Sequence, residues 1–185
     1  MNYYFTGDCH FSHFNIIKYC NRPFKTVEEM NEVLIKNWNS RVSEKDCVIH
    51  NGDFGFKQTS KSNCVNGLNI PTSNWMKFLK GNIILIRGNH DSNNKTNSII
   101  NNMEITIGGK KIYIVHDPAK WCPNYEINFI SHVHDRWKFQ TRRYLNKKTV
   151  LINIGVDQWK FIPITINEIL SEYYRYIRTN EYINI

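Results

Sequence analysis

Five apolar runs of the chain each end on side chains that can bind a metal ion. In chain order, these side chains are Asp8 and His10, then Asp53, then Asn89 with His90 and Asp91, then His116, and finally His132 with His134. In open α/β sheets, ligands bind at the carboxyl ends of the strands, so residues scattered along the sequence can meet at one edge. The pattern therefore predicts an α/β fold whose metal site lies at the C-terminal ends of its strands.

Local signals between these runs also predict strands and helices. Thr26-x-x-Glu29 and Thr165-x-x-Glu168 are capping boxes that each open an amphipathic helix, the first extending to about Ser40. Two alternating runs joined by two glycines at 108–109 predict a β-hairpin. Other strands are predicted at 3–6, 47–50, 83–87, 128–131 and 149–155, a short helix at 74–80, and inserted loops at 57–73 and 92–102.

Composition restricts the class of protein. With 185 residues, 41% of them hydrophobic, the chain is expected to form one domain, 1–185, with a substantial core. Its five cysteines are odd in number and form no Cys-x-x-Cys pair, so neither a disulfide framework nor a thiolate zinc site is predicted. The N-terminus lacks a signal-peptide pattern, and no apolar run reaches the roughly 20 residues of a membrane-spanning helix. We expect a soluble, cytoplasmic protein without a membrane partner.

The formal net charge of +8 has two interpretations. It favours an anionic partner such as nucleic acid, because basic proteins attract polyphosphates through their electrostatic field. It also fits a chain rich in Asn, Ile and Lys, a bias that coding composition alone can produce. Charge leaves both interpretations open, and the sequence predicts no oligomeric state.

Histidine placement is the stronger argument for metal binding. Six of the seven histidines lie in the turns at strand ends, and only His50 lies inside a strand, where we expect a core residue. Carboxylate, amide and imidazole ligands without a thiolate suit Mn, Fe, Zn or Ni better than Ca or Mg alone. Seven candidate ligands are too many for one four-coordinate ion. Two divalent ions that share a carboxylate would use them all, and manganese is the ion we expect.

The ordered motifs resemble those of the calcineurin-like metallophosphoesterase superfamily from Met1 to the end of the chain. The matching motifs are Asp8-x-His10, Gly52-Asp53, Gly88-Asn89-His90-Asp91, His116 and His132-x-His134. The stretches "TGDCHFSHFNIIKYCNRPF" and "INIGVDQWKFIPITINEI" are further similar to small phosphohydrolases of bacteria and phages. The resemblance implies a four-layer α/β/β/α sandwich of two mixed β-sheets flanked by helices.

The resemblance also implies a division of the ligands and a reaction. One ion would be held by Asp8, His10, Asp53 and His134, and the other by Asp53, Asn89, His116 and His132, so that Asp53 bridges. A hydroxide shared by two ions would attack a phosphodiester in line, and Asn89 would also contact the substrate. His90 would donate the proton to the leaving group while Asp91 orients its ring. His13 would contact the phosphate or leaving group, or form a hydrogen bond behind a ligand.

Three positions depart from the family pattern. Ser131 replaces the usual glycine before His-x-His, Cys9 stands where a small hydroxyl residue is common, and Asp117 comes after His116 where Gly or Tyr often stands. None of the three is a ligand, so we expect metal binding to survive. Cys9 is expected to be a buried, inert thiol rather than an oxidation-sensitive one.

The residues directly after the second motif predict the class of substrate. Protein phosphatases of the superfamily carry Asp-Arg-Gly there, with a phosphate-gripping arginine, whereas this chain has "GDFGFKQ". We therefore expect a phosphodiester in a nucleotide or nucleic acid. The segment "DRWKFQTRRYLNKK" would supply phosphate contacts and stacking surfaces, or would be an ordinary amphipathic strand with Trp137 and Phe139 inward. The alternatives are a broad phosphomonoesterase and a non-catalytic, metal-bound module that binds nucleic acid or protein.

Overall fold

Two mixed β-sheets pack face to face in the computed structural model, which describes residues 1–56, 72–94, 96 and 98–182. The helices are α1 (Phe14–Tyr19), α2 (Val27–Arg41) and α3 (Ile166–Tyr182). The strands are β1 (Tyr3–Thr6), β2 (Cys47–Asn51), β3 (Asn82–Ile86), β4 (Asn102–Ile107), β5 (Lys110–Val115), β6 (Ile127–Ile130), β7 (Phe139–Tyr144), β8 (Lys147–Asn153) and β9 (Ile164–Thr165). Short 3₁₀ helices span Thr72–Phe78, Pro118–Lys120 and Val156–Gln158.

Strand direction brings the predicted ligands to one end of both sheets. The first sheet has the order β3-β2-β1-β9, in which β1, β2 and β3 are parallel and β9 is antiparallel to β1. The second has the order β4-β5-β6-β8-β7, in which β5, β6 and β8 are parallel and both edge strands are antiparallel to their neighbours. The parallel strands carry the motifs at their C-terminal ends.

The main core lies between the two sheets. Phe5 of β1 and Ile49 of β2 face Ile114 of β5 and Phe129 of β6 within one buried apolar cluster. The rings of Phe5 and Phe129 are 5.2 Å apart in an edge-to-face contact. Burial of this apolar surface fixes the distance between the sheets, and hence between the loops at their ends.

Outer layers complete the predicted sandwich, which is confirmed. Helix α2 packs Met30, Leu34 and Trp38, spaced four residues apart, on the outer face of the first sheet. Over the outer face of the second sheet, the described part of the chain places the 3₁₀ helix at 118–120 and a smaller cluster that includes Trp121 and Trp137. Helix α3 contributes Ile169 and other residues to the cluster between the sheets.

Most of the predicted elements are present. The Thr26 side chain accepts a hydrogen bond from Glu29 N, and Thr165 and Glu168 form both bonds of a capping box. The hairpin of β4 and β5 turns at the two predicted glycines, both with positive φ. The helix predicted at 74–80 is a 3₁₀ helix, and α1 was not predicted. Most of the loop predicted at 57–73 lies outside the described residues, as do positions 95 and 97 of the second loop.

Part of the basic segment after the last motif, Phe139–Tyr144, is the edge strand β7. Phe139 stacks on Tyr176 with ring centroids 4.9 Å apart, and Trp137 joins the smaller apolar cluster. Lys138 forms an ion pair with Glu172 at 2.8 Å. Trp137, Lys138 and Phe139 therefore make contacts within the fold. Among the described residues, no helix combines the length and apolar composition needed to cross a membrane.

Candidate metal centre

The strand ends bring six predicted ligands into two adjacent groups. Within each group, the potential ligand atoms all lie within 4.8 Å of one another. Site 1 contains Asp8, His10 and His134, and site 2 contains Asp53, His116 and His132. Each group draws on loops from both sheets, so the sandwich must be assembled before either group exists.

Asn89 joins site 2, and Asp53 lies between the two sites. The Asn89 Oδ1 atom is 3.0 Å from His116 Nε2 and 2.9 Å from His132 Nδ1. The Asp53 Oδ2 atom is 3.6 Å from His10 Nε2 and 3.5 Å from His116 Nε2. One carboxylate oxygen therefore faces an imidazole of each site, which is the position a bridging ligand requires.

The loops present these ligands through backbone conformations that most residues avoid. Five candidate ligands have φ between 48° and 73°, in the left-handed region: Asp8, His10, Asp53, His132 and His134. Such conformations cost on the order of 1–3 kcal/mol each and persist where the surroundings determine them. Here the loops are tied together by bonds from Asp8 N to Gly52 O and from His10 N to Asp53 O, each 3.0 Å long.

Gly88 is required because the Asp53 loop lies against it. A Cβ atom at this position would be 2.1 Å from Asp53 Oδ1 and 2.3 Å from Asp53 N. This carboxylate oxygen instead accepts a hydrogen bond from His90 N at 2.9 Å. The glycine of the third motif thus lets the Asp53 carboxylate lie directly against the next loop.

Hydrogen bonds behind the imidazoles orient them. His116 Nδ1 is 2.8 Å from Asn51 O, so its Nε2 atom is the one free to face site 2. His13 Nδ1 is 3.3 Å from His10 Nδ1, which leaves His10 Nε2 facing Asp53. His13 also stacks on Phe56 with ring centroids 3.7 Å apart. His13 therefore forms the hydrogen bond behind a ligand, and it also lines the adjacent cavity.

Asp91 occupies a different place from the one predicted for it. Its carboxylate accepts hydrogen bonds from the backbone N–H groups of Asp53, Phe54 and Gly88, at 2.9, 3.0 and 2.7 Å. The prediction that this carboxylate orients the His90 ring is corrected accordingly. Asp91 is buried and holds the Asp53 loop, while the His90 ring lies 5.0 Å from that of Phe56 and 5.7 Å from that of His10.

Without metal ions, the site holds protons on two of its histidines. Burial would lower the pKa of His116, but the nearby carboxylates of Asp53 and Asp8 raise that pKa to about 9. Burial likewise opposes the charge of His134, but Asp8 and Asp157 raise its pKa to about 10. By contrast, burial raises the pKa of Asp8 to about 6 and lowers the pKa of His10 well below its usual value.

The sequence did not reveal two residues that support site 1, Arg22 and Asp157. The Asp157 carboxylate is 3.2 Å from His134 Nδ1 and forms an ion pair with the buried Arg22 side chain. Asp157 comes shortly after the apolar run of β8, so the strand-end rule that found the other ligands would have found it too. Arg22 lies in a loop after α1, and neither periodicity nor spacing marks it.

The departures from the family pattern have local explanations. Cys9 is buried, and burial raises its pKa, as expected of an inert thiol. Asp117 Oδ1 accepts a hydrogen bond from Ala119 N and so caps the 3₁₀ helix at 118–120. Ser131 is fully buried against Gly7, where a Cβ atom on the glycine would meet the Ser131 Oγ.

Eleven buried side-chain nitrogen and oxygen atoms have no hydrogen-bond partner among the described residues. Three of them bear on whether the site fits metal ions: Asp8 Oδ1, His10 Nε2 and Asp53 Oδ2. A buried polar atom without a partner is costly, and most such atoms in proteins are satisfied. All three belong to candidate ligands and lie where the sites meet. The donor set therefore fits two divalent cations.

Comparison with known families agrees with this arrangement. The calcineurin-like phosphoesterase family matches residues 1–173. The chain belongs to this family. Members are metal-dependent phosphoesterases, so the two candidate metal sites and a hydrolase activity are what membership leads one to expect.

Individual relatives add the fold but no substrate. The uncharacterized protein MJ1445 of Methanocaldococcus jannaschii is 36% identical over 172 residues, covering 91% of this chain and 89% of its own length. The protein of unknown function AQ665 from Aquifex aeolicus aligns with a TM-score of 0.64 at 24% identity, covering 91% of this chain and 97% of its own. Neither name describes an activity.

Proposed function

We propose that this phosphoesterase uses two divalent metal ions, most naturally manganese, to hydrolyse a phosphodiester in a nucleotide or nucleic acid. The observation that carries the proposal is the position of Asp53 Oδ2, buried, without a hydrogen-bond partner among the described residues, and about equally distant from an imidazole of each site. What two ions supply in such a centre is activation of a water near neutral pH and neutralisation of phosphoryl oxygens.

The residues of the chain then perform the remaining tasks. The loops whose residues adopt left-handed backbone conformations hold the ligands in place before substrate arrives. Little reorganisation is therefore needed during the reaction. His13 fixes the ring of His10, and Asn51 O fixes the ring of His116. His90 lies beside the centre, partly exposed, next to Asn89, and would donate a proton to the leaving oxygen.

Two cavities beside the centre favour a diester over a monoester. One, of about 370 Å³, is lined by His10 and His134 of site 1 and extends to Tyr19, Phe56 and Arg136. The other, of about 320 Å³, includes Asn89, Tyr113, His116 and Lys120. His132 lines both cavities. A phosphodiester carries an organic group on each side of the phosphorus, and the two cavities offer a place for each.

The chemistry of the first cavity favours a planar group such as a nucleobase. Tyr19 is 71% exposed at its edge, and Phe56 forms an aromatic wall stacked on His13. Bases stack on such side chains with little dependence on sequence, and Arg136 supplies a positive charge nearby. The stretch "GDFGFKQ" that contains Asp53 has no arginine to grip a phosphate monoester.

The test compares bis(p-nitrophenyl) phosphate with p-nitrophenyl phosphate after metal removal and reloading with manganese, iron, zinc or nickel. We expect metal-dependent turnover that favours the diester and is lost in Asp53→Asn. The matched control is Glu32→Gln, which removes an exposed carboxylate on α2, away from both cavities, and should retain activity. Preference for the monoester would overturn the diester assignment. Two bound ions without turnover of any phosphate ester would overturn the enzymatic one.

A further inference from the structure

A buried ion pair lies directly behind one of the two metal sites. Arg22 Nε donates to Asp157 Oδ1 at 2.8 Å, and Arg22 Nη2 donates to Asp157 Oδ2 at 2.9 Å, so the pair is bidentate. The two side chains are 0% and 3% exposed. Bidentate pairs of this kind combine strength with a fixed geometry.

The same guanidinium also holds the backbone that presents Asp8. Arg22 Nη2 donates to Asp8 O at 2.6 Å, and Arg22 Nη1 donates to Cys9 O at 3.0 Å. These carbonyls belong to the loop in which Asp8 and His10 both adopt positive φ. Arg22 therefore satisfies the carbonyl groups that this unusual conformation would otherwise leave buried without partners.

On its other side, the pair reaches the third ligand of site 1. Asp157 Oδ2 is 3.2 Å from His134 Nδ1, and Asn153 Nδ2 donates to His134 O at 2.8 Å. Arg22 and Asp157 thus connect the Asp8 loop of the first sheet to the His134 loop of the second. A carboxylate behind a ligating imidazole fixes its orientation and increases its basicity.

Site 2 is supported differently. His116 is held by a backbone carbonyl, and two of the residues of this site, Asn89 and His132, are exposed. Among the described residues, the ion pair of Arg22 and Asp157 therefore contacts the ligands of site 1 alone. Because the pair joins the two loops that carry the residues of site 1, its placement here is explained by positioning those residues.

We propose that Arg22 and Asp157 are positioning residues that set the metal affinity of site 1, without themselves contacting metal or substrate. The inference rests on the proposed metal-dependent function. Arg22 and Asp157 would act through Asp8 and His134, and therefore on only one of the two metal ions.

The experiment measures manganese binding by calorimetry in Asp157→Asn and in the neutral double variant Arg22→Gln/Asp157→Asn, which leaves no single buried charge. We expect the dissociation constant of one ion to rise roughly 10–100-fold in each, with the other unchanged. Glu126→Gln, which breaks the ion pair of Glu126 with Lys110, is the matched control and should bind both ions normally. Repeating Asp157→Asn in an Asn89→Ala background, which lacks a ligand of site 2, assigns the weakened ion to site 1.

The melting temperatures of the metal-free proteins separate positioning from folding. Unfolding of both variants would overturn the inference, since the pair would then serve the fold. Folded variants that bind both ions as the wild type does, or that weaken both ions equally, would overturn this inference alone. A wild-type protein that binds no metal would overturn the proposed function as well.

Discussion

At the residue scale, Ser131 and Gly7 form a matched contact between the two sheets. A Cβ atom on Gly7 would lie 2.3 Å from Ser131 Oγ and 3.2 Å from Ser131 Cβ. Ser131 thus fills the space that a side chain at position 7 would need, just before Asp8 on one side and His132 on the other. Ser131 stands where the family usually has glycine, and its side chain fits because Gly7 beside it has none.

This contact predicts a paired effect on stability. Gly7→Ala should lower the free energy of unfolding by about 1–3 kcal/mol, the usual cost of overpacking a core. Adding Ser131→Gly removes both nearest Ser131 atoms, so the double variant should be more stable than Gly7→Ala alone. Urea unfolding of the three variants measures this. Additive losses in the double variant would show that the two positions do not interact.

His90 supports a prediction about the leaving group. If it donates a proton to the leaving oxygen, His90→Ala should lower turnover of a diester with an alkyl leaving group by about 10²–10⁴-fold. Turnover of bis(p-nitrophenyl) phosphate should fall far less, because nitrophenolate leaves without a proton. Rates on both substrates with metal at saturation provide the test. Equal losses would remove His90 as the proton donor.

At the scale of elements, Asp46 joins the start of the chain to the turn that precedes β2. Its carboxylate accepts hydrogen bonds from the Ser43 hydroxyl at 2.7 Å, from Asn2 N at 2.7 Å and from Ser43 N at 2.9 Å. These bonds, with the Ser43 hydroxyl first, lower the pKa of Asp46 to about 2. The contact helps to set β1 beside β2, the two parallel strands that carry Asp8 and Asp53.

The lowered pKa of Asp46 therefore predicts how the stability of the protein depends on pH. A carboxyl group whose pKa falls on folding stabilises the protein above its unfolded pKa of about 4, and this contribution is lost as the pH falls towards 2. Asp46→Asn should be less stable than the wild type at pH 7, and the difference should shrink between pH 4 and pH 2. Glu44→Gln, at an exposed neighbouring position, is the control. A difference that stays constant across this range would contradict the assignment.

Elements with a local signal were predictable, whereas those fixed by tertiary contacts were not. The capping boxes at Thr26 and Thr165 mark helices through their own hydrogen bonds, and the paired glycines mark the hairpin. Helix α1 has six residues and no side-chain cap, so nothing in its sequence distinguishes it from a loop. The role of Asp91 also escaped prediction, because its partners are mainly backbone N–H groups of a distant loop.

At the scale of the whole molecule, the candidate site was predictable because the topology of the two sheets brings its residues together. Parallel strands in both sheets end at the same edge, so residues 124 positions apart, such as Asp8 and His132, form a 2.8 Å hydrogen bond. Ligand types and strand ends can be read from the sequence, and the strand-end rule covers Asp157, but its pairing with Arg22 cannot be read there. Arg22 and Asp157 are 135 positions apart and meet only once the fold is complete.

The metal-free protein is stabilised at low pH by the protons that metal ions must displace. His116 and His134, with pKa values raised to about 9 and about 10, contribute stability below their unfolded values near 6.5, and this is lost as the pH rises through 9 and 10. As predicted ligands, both would bind metal through a lone pair freed of its proton, so metal binding should release these protons and strengthen as the pH rises.

As the pH rises, the stability of the metal-free protein should fall while its affinity for metal should increase, which gives a prediction for the whole protein. From pH 6.5 to pH 9, affinity for manganese should rise by up to about tenfold per pH unit for each proton released. The increase in melting temperature on adding excess manganese should grow over the same range, because tighter binding stabilises the folded state further. Calorimetry in buffers of different ionisation enthalpy counts the protons. His134→Gln should release one proton fewer, and an affinity independent of pH would show that these histidines are not ligands.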